Sequence, residues 1–383
     1  MTSGGAYPDT RPDPLAGPWF RLGRTHSIAT RFEAAADGAA ARSGMPADRP
    51  VLVLTQRMDA TADLVIEELH RRGVPVVRLD TGDFPQRMRL AARLRDGWAG
   101  TLAGATRSLH LDAVRSVYYR RPTMIRMSDR IPEAALVRAR EEARRGLGGV
   151  LAGLRCWINH PFDVAAAEFK PVQLAAARTA GLTVPETLIT NDPAEIRAFA
   201  ADCGGRIVVK PLSAPDPYDV RKADLKMVYT TLVPESDIGD PAVALTATMF
   251  QQWVPKRAEV RLTAVDGALF AAEITTASPR GLVDWRSDYA SLSYRTVDVP
   301  DGIRAAVLRL LGRFGLRYAA MDFIVTPDGE WVFLEVNPSG QWAWIEQETG
   351  LPLTAAIANA LEAGEPGLTP CSATAGAANA TPP

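Results

Sequence analysis

The chain has 383 residues, 47% apolar and 23% charged, with a formal net charge of −1. That is an ordinary globular composition, long enough for two or three packed domains, and its near-neutral balance argues against nucleic acid as the main partner. Cys156, Cys203 and Cys371 lie far apart with no CxxC or His-rich spacing, which suits a reducing compartment, and no apolar run reaches the length of a membrane span.

Residues 1–48 are dominated by Ala, Gly, Pro, Arg and Asp with little periodicity, so a disordered arm is expected there. The arm has neither a basic n-region nor an apolar h-region, so the chain reads as cytoplasmic, and Met45 offers an alternative start just before the first strand. Val51 to Thr55, a helix from Ala60 to Arg72, Gly73 as its stop and Val74 to Leu79 form a β-α-β unit, which implies a parallel sheet. A strand at Ser116 to Tyr119 runs into Arg120-Arg121-Pro122. A long helix from Glu133 to Leu154 follows, with acids early and arginines later, and Trp157 to Pro161 closes a first α/β unit over residues 49–160.

A second segment, residues 161–250, is expected to hold a helix from Val164 to Ala180 stopped by Gly181, a strand at Thr187 to Thr190, a helix starting at Asp192-Pro193, and a strand from Arg206 to Lys210. The aperiodic stretch from Leu212 to Lys226 fits either a mobile flap over phosphates or a surface loop. A third segment, residues 251–365, carries strands at Ala258 to Val265 and Leu269 to Ile274, an unpatterned run from Ser278 to Ser293, a helix near Ile303 to Phe314 and a final hairpin. Residues 366–383 are small, polar and Pro-bearing, and a disordered tail is expected. No internal repeat is found.

The hairpin carries the sharpest chemistry. Asp322 to Val325 and Trp331 to Val336 read as strands joined by the turn Thr326-Pro327-Asp328-Gly329. Glu335 and Asn337, two apart, share a face, and Asp322 joins them if the register allows. Three oxygen donors of this kind suit Mg²⁺, which fills its remaining positions with water and substrate phosphate. The alternative, a solvated hairpin with scattered acids, is disfavoured because Glu335 sits in an otherwise apolar strand, where an unpaired carboxylate is costly.

Upstream, Lys170 on a helix and Lys210 at the end of an apolar strand are candidate phosphate ligands. Alone each would more often be an exposed lysine, and their position before an Asp…Glu-x-Asn hairpin favours the phosphate reading. Gln251, Gln252, Trp253 and Val254 could line an adenine, or form a linker with one packed Trp. Arg286 could clamp a carboxylate or acyl phosphate with Asp284 holding its guanidinium, a plain surface ion pair being the alternative.

Together, Val51 to Thr55, RLDTGDFP (residues 78–85), Tyr119-Arg120-Arg121-Pro122, Asn159-His160-Pro161, VPETLITN (184–191) and FLEVNPSGQW (333–342) resemble the ATP-grasp ribosomal peptide maturases, the macrocyclases of microviridin and graspetide type. The resemblance covers about residues 50–365, and the NP-(S/N)-GQW run is its most specific piece. It departs in the phosphate flap, where the family's glycines are mostly absent between Leu212 and Lys226.

The resemblance implies an α/β ATP-grasp fold behind a pre-ATP-grasp domain, with ATP and Mg²⁺ as cofactors. Lys170 and Lys210 would bind phosphates, Gln251 to Val254 would line adenine, Asp322, Glu335 and Asn337 would hold the metal, and Arg286 with Asp284 would meet the acceptor carboxylate. It also implies a ribosomal precursor peptide as partner, with a leader and an acidic, Ser/Thr-rich core, no nucleic acid and no membrane, and leaves room for a homodimer. A side-chain carboxylate would be activated as an acyl phosphate and closed onto a Ser/Thr hydroxyl or a Lys amine. Two competing readings are a small-acid carboxylate-amine ligase and a non-catalytic nucleotide-binding protein. Among the four histidines, His160 reads as structural, at a domain junction, and no general base stands out.

Overall fold

The computed structural model describes residues 49–95, 97–213 and 229–364. The arm over residues 1–48 with Met45, most of the flap between Leu212 and Lys226, and the tail with Cys371 lie outside the described residues.

The first β-α-β unit consists of β1 (Val51–Leu54), α1 (Ala60–Arg71) and β2 (Val76–Leu79). Asp59 starts α1 by accepting the Ala62 N–H at 3.2 Å and the Thr55 hydroxyl at 2.6 Å, which ties the strand end to the helix. Next come β3 (Arg89–Leu94), β4 (Trp98–Ala103) and β5 (Ser108–His110), a small antiparallel sheet. Sequence reading does not find it, because RLAARL and WAGTLA are dominated by Ala, Leu, Arg and Gly, with Thr101 as their one β-branched residue, and so carry little of the signal that marks strands. Then β6 (Ser116–Tyr119), α2 (Glu133–Ala152) and β7 (Trp157–Ile158) complete a parallel sheet of order β2-β1-β6-β7. Its strands alternate: Val51 and Val53 join the core under α1, while Leu52 and Leu54 pack with Leu102, Leu109, Leu147 and Val150 on the other side.

The single helix expected from Val164 to Ala180 is two, α3 (Pro161–Ala167) and α4 (Lys170–Thr179). Pro171 is the reason: it lacks an N–H and restricts the residue before it, so it sits in a helix's first turn and forces a new start. The correction moves Lys170 from a helix face to the head of α4. There follow β8 (Thr187–Thr190), α5 (Pro193–Asp202), β9 (Ile207–Lys210), β10 (Thr231–Leu232) and β11 (Thr248–Gln252), in an antiparallel sheet of order β10-β9-β11-β8. The run Phe250 to Val254 is therefore only in part a connection. Its first residues belong to an inner strand whose Phe250 packs with Ile196, Ala200 and Ile207.

The third sheet contains β12 (Ala258–Val265), β13 (Ala268–Thr276) and β14 (Leu292–Val297); after α6 (Asp301–Phe314) it is completed by β15 (Tyr318–Val325) and β16 (Trp331–Asn337). All five strands are antiparallel in the order β14-β13-β12-β15-β16. The chain ends with α7 (Ala343–Thr349) and α8 (Leu353–Ala363). One face of this sheet, with Val260, Leu262, Met321 and Phe323, buries against Leu174 and Ala177 of α4 and Val307 and Leu310 of α6. On the other face, Ala272 and Tyr318 share a core with α1, α8 and β1. The cores thus do not follow segment order: α4 packs under the third sheet, and α8 packs on the first unit. No helix among the described residues is long and apolar enough to cross a membrane.

Candidate active site

The geometry of the site starts from one irregularity. Along the hairpin Val325 pairs with Trp331, Ile324 with Val332 and Phe323 with Phe333, but Asp322 pairs with Glu335 and Ala320 with Asn337. Leu334 is the extra residue of a β-bulge. Continued without it, the register would set Asp322 opposite Leu334 and put Glu335 on the far face, because facing residues alternate sides along a strand. The bulge brings Asp322, Glu335 and Asn337 onto one face. Gly329, at φ +92°, makes the turn that starts this register.

Charged groups crowd that face. Lys170 Nζ lies 3.0 Å from Glu335 and an Arg286 nitrogen 3.9 Å from it. Burial works against ionising Glu335, but Lys170 and Arg286 outweigh it and hold its carboxyl at about 2. Asp322 meets Arg261 at 2.9 Å; burial, with repulsion from Glu335, raises its pKa against the pull of that arginine. Arg286 grips Asp284 with two bonds of 2.9 and 3.0 Å, and Asp284 also accepts the backbone N–H of Thr230 at 3.0 Å. The Arg286 guanidinium is thereby aimed by a buried carboxylate rather than left as a loose surface pair. Lys210 feels burial first, then Glu335 in its favour and Lys170 against it, and its ammonium is lowered to about 8.

The structure thus gathers Lys170, Lys210, Asp284, Arg286, Asp322 and Glu335. Asn337 stands at the end of β16, its side-chain oxygen accepting the Ser339 N–H at 3.0 Å. Gln251 is buried on the sheet face that carries Lys210, since Met249 pairs with Lys210 two residues earlier, and its Nε2 donates to Thr187 at 3.0 Å. Its Oε1 has no partner in the described structure. The strand's alternation places Gln252 on the opposite face. Trp253 lies under the Arg206 guanidinium, 5.3 Å from ring centre, and half-buried Val254 follows. The four residues taken together from the sequence as an adenine wall therefore do not line one surface.

Sequence reading missed Arg261, Glu259 and Lys256. Glu259 and Arg261 alternate on β12 beside Asp322, Lys256 pairs with Glu259, and the Arg261 guanidinium lies against the neighbouring rings of Trp285 and Trp344, 5.7 and 5.8 Å from their centres. The signal was present in AEVRLTAV, where two charges occur at period two in an otherwise apolar strand.

Among the described residues no group of three or more His, Cys, Asp or Glu gathers as a metal site. The donor set here is two carboxylates on paired strands with an amide oxygen beside them, each carboxylate facing a cation. That set fits Mg²⁺, which takes one or two protein carboxylates and completes its shell with phosphate and water.

The residues just after β16 serve the fold. Arg120, buried, donates to the carbonyls of Ser339 and Gly340 at 3.5 and 3.3 Å and to the Gln341 side chain at 2.9 Å, and its Nε lies 3.6 Å from Asp59. Trp342 is wholly buried, its indole N–H 3.4 Å from the Tyr118 hydroxyl. Asn159 donates to the carbonyls of Tyr318 and Pro338 at 2.7 and 2.8 Å and accepts two backbone N–H groups. A Cβ on Gly340 would come within 2.5 Å of the Ala320 Cβ, so the chain passes there only as glycine. His160 caps α3, accepting the Phe162 N–H at 3.3 Å. RRP, NHP and NPSGQW thus lock the first unit to the hairpin that carries Glu335.

A family model described as the MvdD pre-ATP grasp domain matches residues 50–165. Among solved structures, the chain is similar to the macrocyclase MdnC of Microcystis aeruginosa MRC, bound with precursor peptide MdnA, at 30% identity and a TM-score of 0.71, with 82% of this chain and 99% of that one covered. It is also similar to a RiPP-associated ATP-grasp ligase of Chryseobacterium gregarium in complex with ADP and a leader and core peptide, at 25% identity, a TM-score of 0.74 and coverage of 82% and 96%. The macrocyclase MdnB of Microcystis aeruginosa MRC matches at 28% identity, with a TM-score of 0.66 and coverage of 82% and 99%. No curated protein matches the chain.

Proposed function

The chain belongs to the ATP-grasp peptide macrocyclases, and from that membership we propose how its own residues divide the work of an ATP-dependent ligase acting on a ribosomal precursor peptide. The observation that carries the assignment is the gathering of Lys170, Lys210 and Arg286 around the Asp322 and Glu335 pair. In this reading residues 49–160 are the pre-ATP-grasp domain, the two segments after it supply the two ATP-grasp subdomains, and the protein works in the cytoplasm. The expected boundary between residues 250 and 251 moves past the end of β11, because that strand belongs whole to the second sheet.

Lys170 and Lys210 hold ATP phosphates, and buried Gln251 with Trp253 and Val254 borders the adenine. Asp322, Glu335 and Asn337 hold Mg²⁺, which when bound neutralises phosphate charge and orients the transferring group. A side-chain carboxylate of the peptide attacks the γ-phosphorus of ATP, releasing ADP and forming an acyl phosphate. Arg286, aimed by Asp284, pairs with the carboxylate and then with the acyl phosphate. A Ser/Thr hydroxyl or Lys amine of the same peptide attacks the acyl carbon, its proton is lost, and inorganic phosphate leaves with the bond it held. Each ring therefore removes the elements of one water from the peptide.

Mass spectrometry tests this. A peptide encoded beside the gene, rich in Asp/Glu and Ser/Thr, is incubated with the protein, ATP and Mg²⁺. Successive losses of about 18 Da, matched by ADP, are expected. ADP release with the peptide mass unchanged would remove the macrocyclase reading.

A further inference from the structure

The carboxyl ends of the first sheet carry a second surface that the roles above leave unused. In open α/β sheets this end is where ligands sit, because the loops that leave it converge over one edge. Three such loops are stitched into one lip. Arg78 donates to the carbonyls of Gln56 and Arg57 at 2.6 and 2.8 Å, and the Gln56 N–H donates to the Arg121 carbonyl at 3.0 Å. Asp80 accepts the N–H groups of Gly82 and Thr123 and the Thr123 hydroxyl, at 3.1, 2.7 and 2.9 Å. Gln86 donates to the Arg126 carbonyl at 3.0 Å. A Cβ on Gly82 would overlap the Thr123 hydroxyl at 1.9 Å, so two of the loops are in tight contact.

This stitching occupies Asp59, Asp80 and Asp83 and leaves the arginines of the lip outward, with Asp129 the exposed acid at its far end. Asp80 is spent on Gly82 and Thr123, Asp83 pairs with Arg87 at 3.1 Å, and Asp59 faces Arg120 from the interior. Arg57, Arg121 and Arg126 are exposed, and among the described residues no carboxylate pairs with Arg57 or Arg126. Between them stand two uncovered methionines, Met58 at 86% exposure and Met124 at 40%. Flexible thioethers of this kind adapt to varied apolar side chains. Beyond Phe84 and Pro85 the lip opens into a cleft of about 490 Å³ lined by Met88, Leu90, Ala91 and Thr101. At its other side, Arg120 contacts Ser339 and Gly340, immediately after the strand that carries Glu335 and Asn337.

We propose that this lip is a docking surface for the acidic segment of the peptide substrate, Arg57 and Arg126 pairing with its carboxylates and Met58 and Met124 covering its apolar side chains. The proposal rests on the function assigned above. Charge complementarity carries it, together with the bonds by which Arg120, next to Arg121 of the lip, ties this loop to the segment that follows Asn337: the surface would hold carboxylates that await activation.

The test uses the full chain and a fluorescent synthetic peptide of Asp, Glu, Ser and Thr, read by anisotropy. Arg57→Glu with Arg126→Glu is expected to weaken binding about tenfold or more and to remove most of its salt dependence. A peptide with Asn and Gln in place of the acids should bind poorly to both proteins. The milder pair Arg57→Gln and Arg126→Gln repeats the measurement if charge reversal harms folding. Arg138→Glu with Arg140→Glu on exposed α2 controls for net charge. Equal affinity of wild type and lip variants, no binding by the wild type, or an equal loss in the α2 control overturns the proposal. MgATP binding by the same proteins, read as a thermal shift, tests the parent function separately: wild type that ignores MgATP removes that function, whereas MgATP binding with an unmoved peptide affinity removes only the lip.

Discussion

Two polar regions lie on either side of Asn337, and they are built by different rules. Before it, charges meet charges: Lys170 with Glu335, Arg261 with Asp322, Arg286 with Asp284. After it, side chains meet mainly backbone: Arg120 on the carbonyls of Ser339 and Gly340, Asn159 on those of Tyr318 and Pro338, the Tyr318 hydroxyl on that of Gly340. An ion pair can exchange partners with a cation or a phosphate at little cost, since both charges stay compensated. A buried bond to a carbonyl has no such alternative, because nothing replaces the donor when it is withdrawn. The first arrangement suits a site that must open to ligands, the second a joint that must stay shut.

Substitutions can break that contrast. The largest effect is expected from Glu335→Gln, which keeps the volume but removes the charge that faces Lys170: peptide-dependent ADP formation should fall by about 10³-fold or more while the melting temperature stays near wild type. A melting temperature that drops with activity would place Glu335 in the joint instead.

Arg120→Ala should do the reverse. It strips a buried partner from Asp59 and from two carbonyls, and a loss of about 3 kcal/mol in denaturant titration is expected. Retained stability would mean the joint is held by Trp342 and Asn159 alone.

The smallest expected effect concerns pH. With its pKa lowered to about 8, chiefly by burial, Lys210 carries its charge below that pH and loses it above. ATP affinity should therefore weaken as pH rises through about 8, and Lys210→Arg should flatten that profile because guanidinium stays charged. A wild-type profile without a change near pH 8 would remove Lys210 from the phosphates.

Much of this was legible in the letters. The β-α-β start, β6, β8 and β12 follow from apolar runs bounded by turn residues, and Lys170, Lys210, Asp284, Arg286, Asp322 and Glu335 were singled out by type and order. What escaped has particular causes. Pro171 splits one expected helix in two and sets Lys170 at a helix head. β11 hides in a stretch that resembles a connection, because an inner strand with Gln on each face has little apolar alternation. Arg261 was overlooked because its meaning depends on Asp322, sixty-one residues later in the chain and directly opposite across the sheet. The NPSGQW run, the most specific piece of the resemblance, turns out to face the first unit through Arg120, Thr61 and Tyr118.

By itself the sequence determined which chemical groups are available and the local elements that carry them, since propensity, capping and turn formation depend on neighbours a few residues away. Only the tertiary structure decided which groups share a surface. Strand register is set by long-range pairing and packing, and a single extra residue, Leu334, is what turns Glu335 and Asn337 to the face of Asp322.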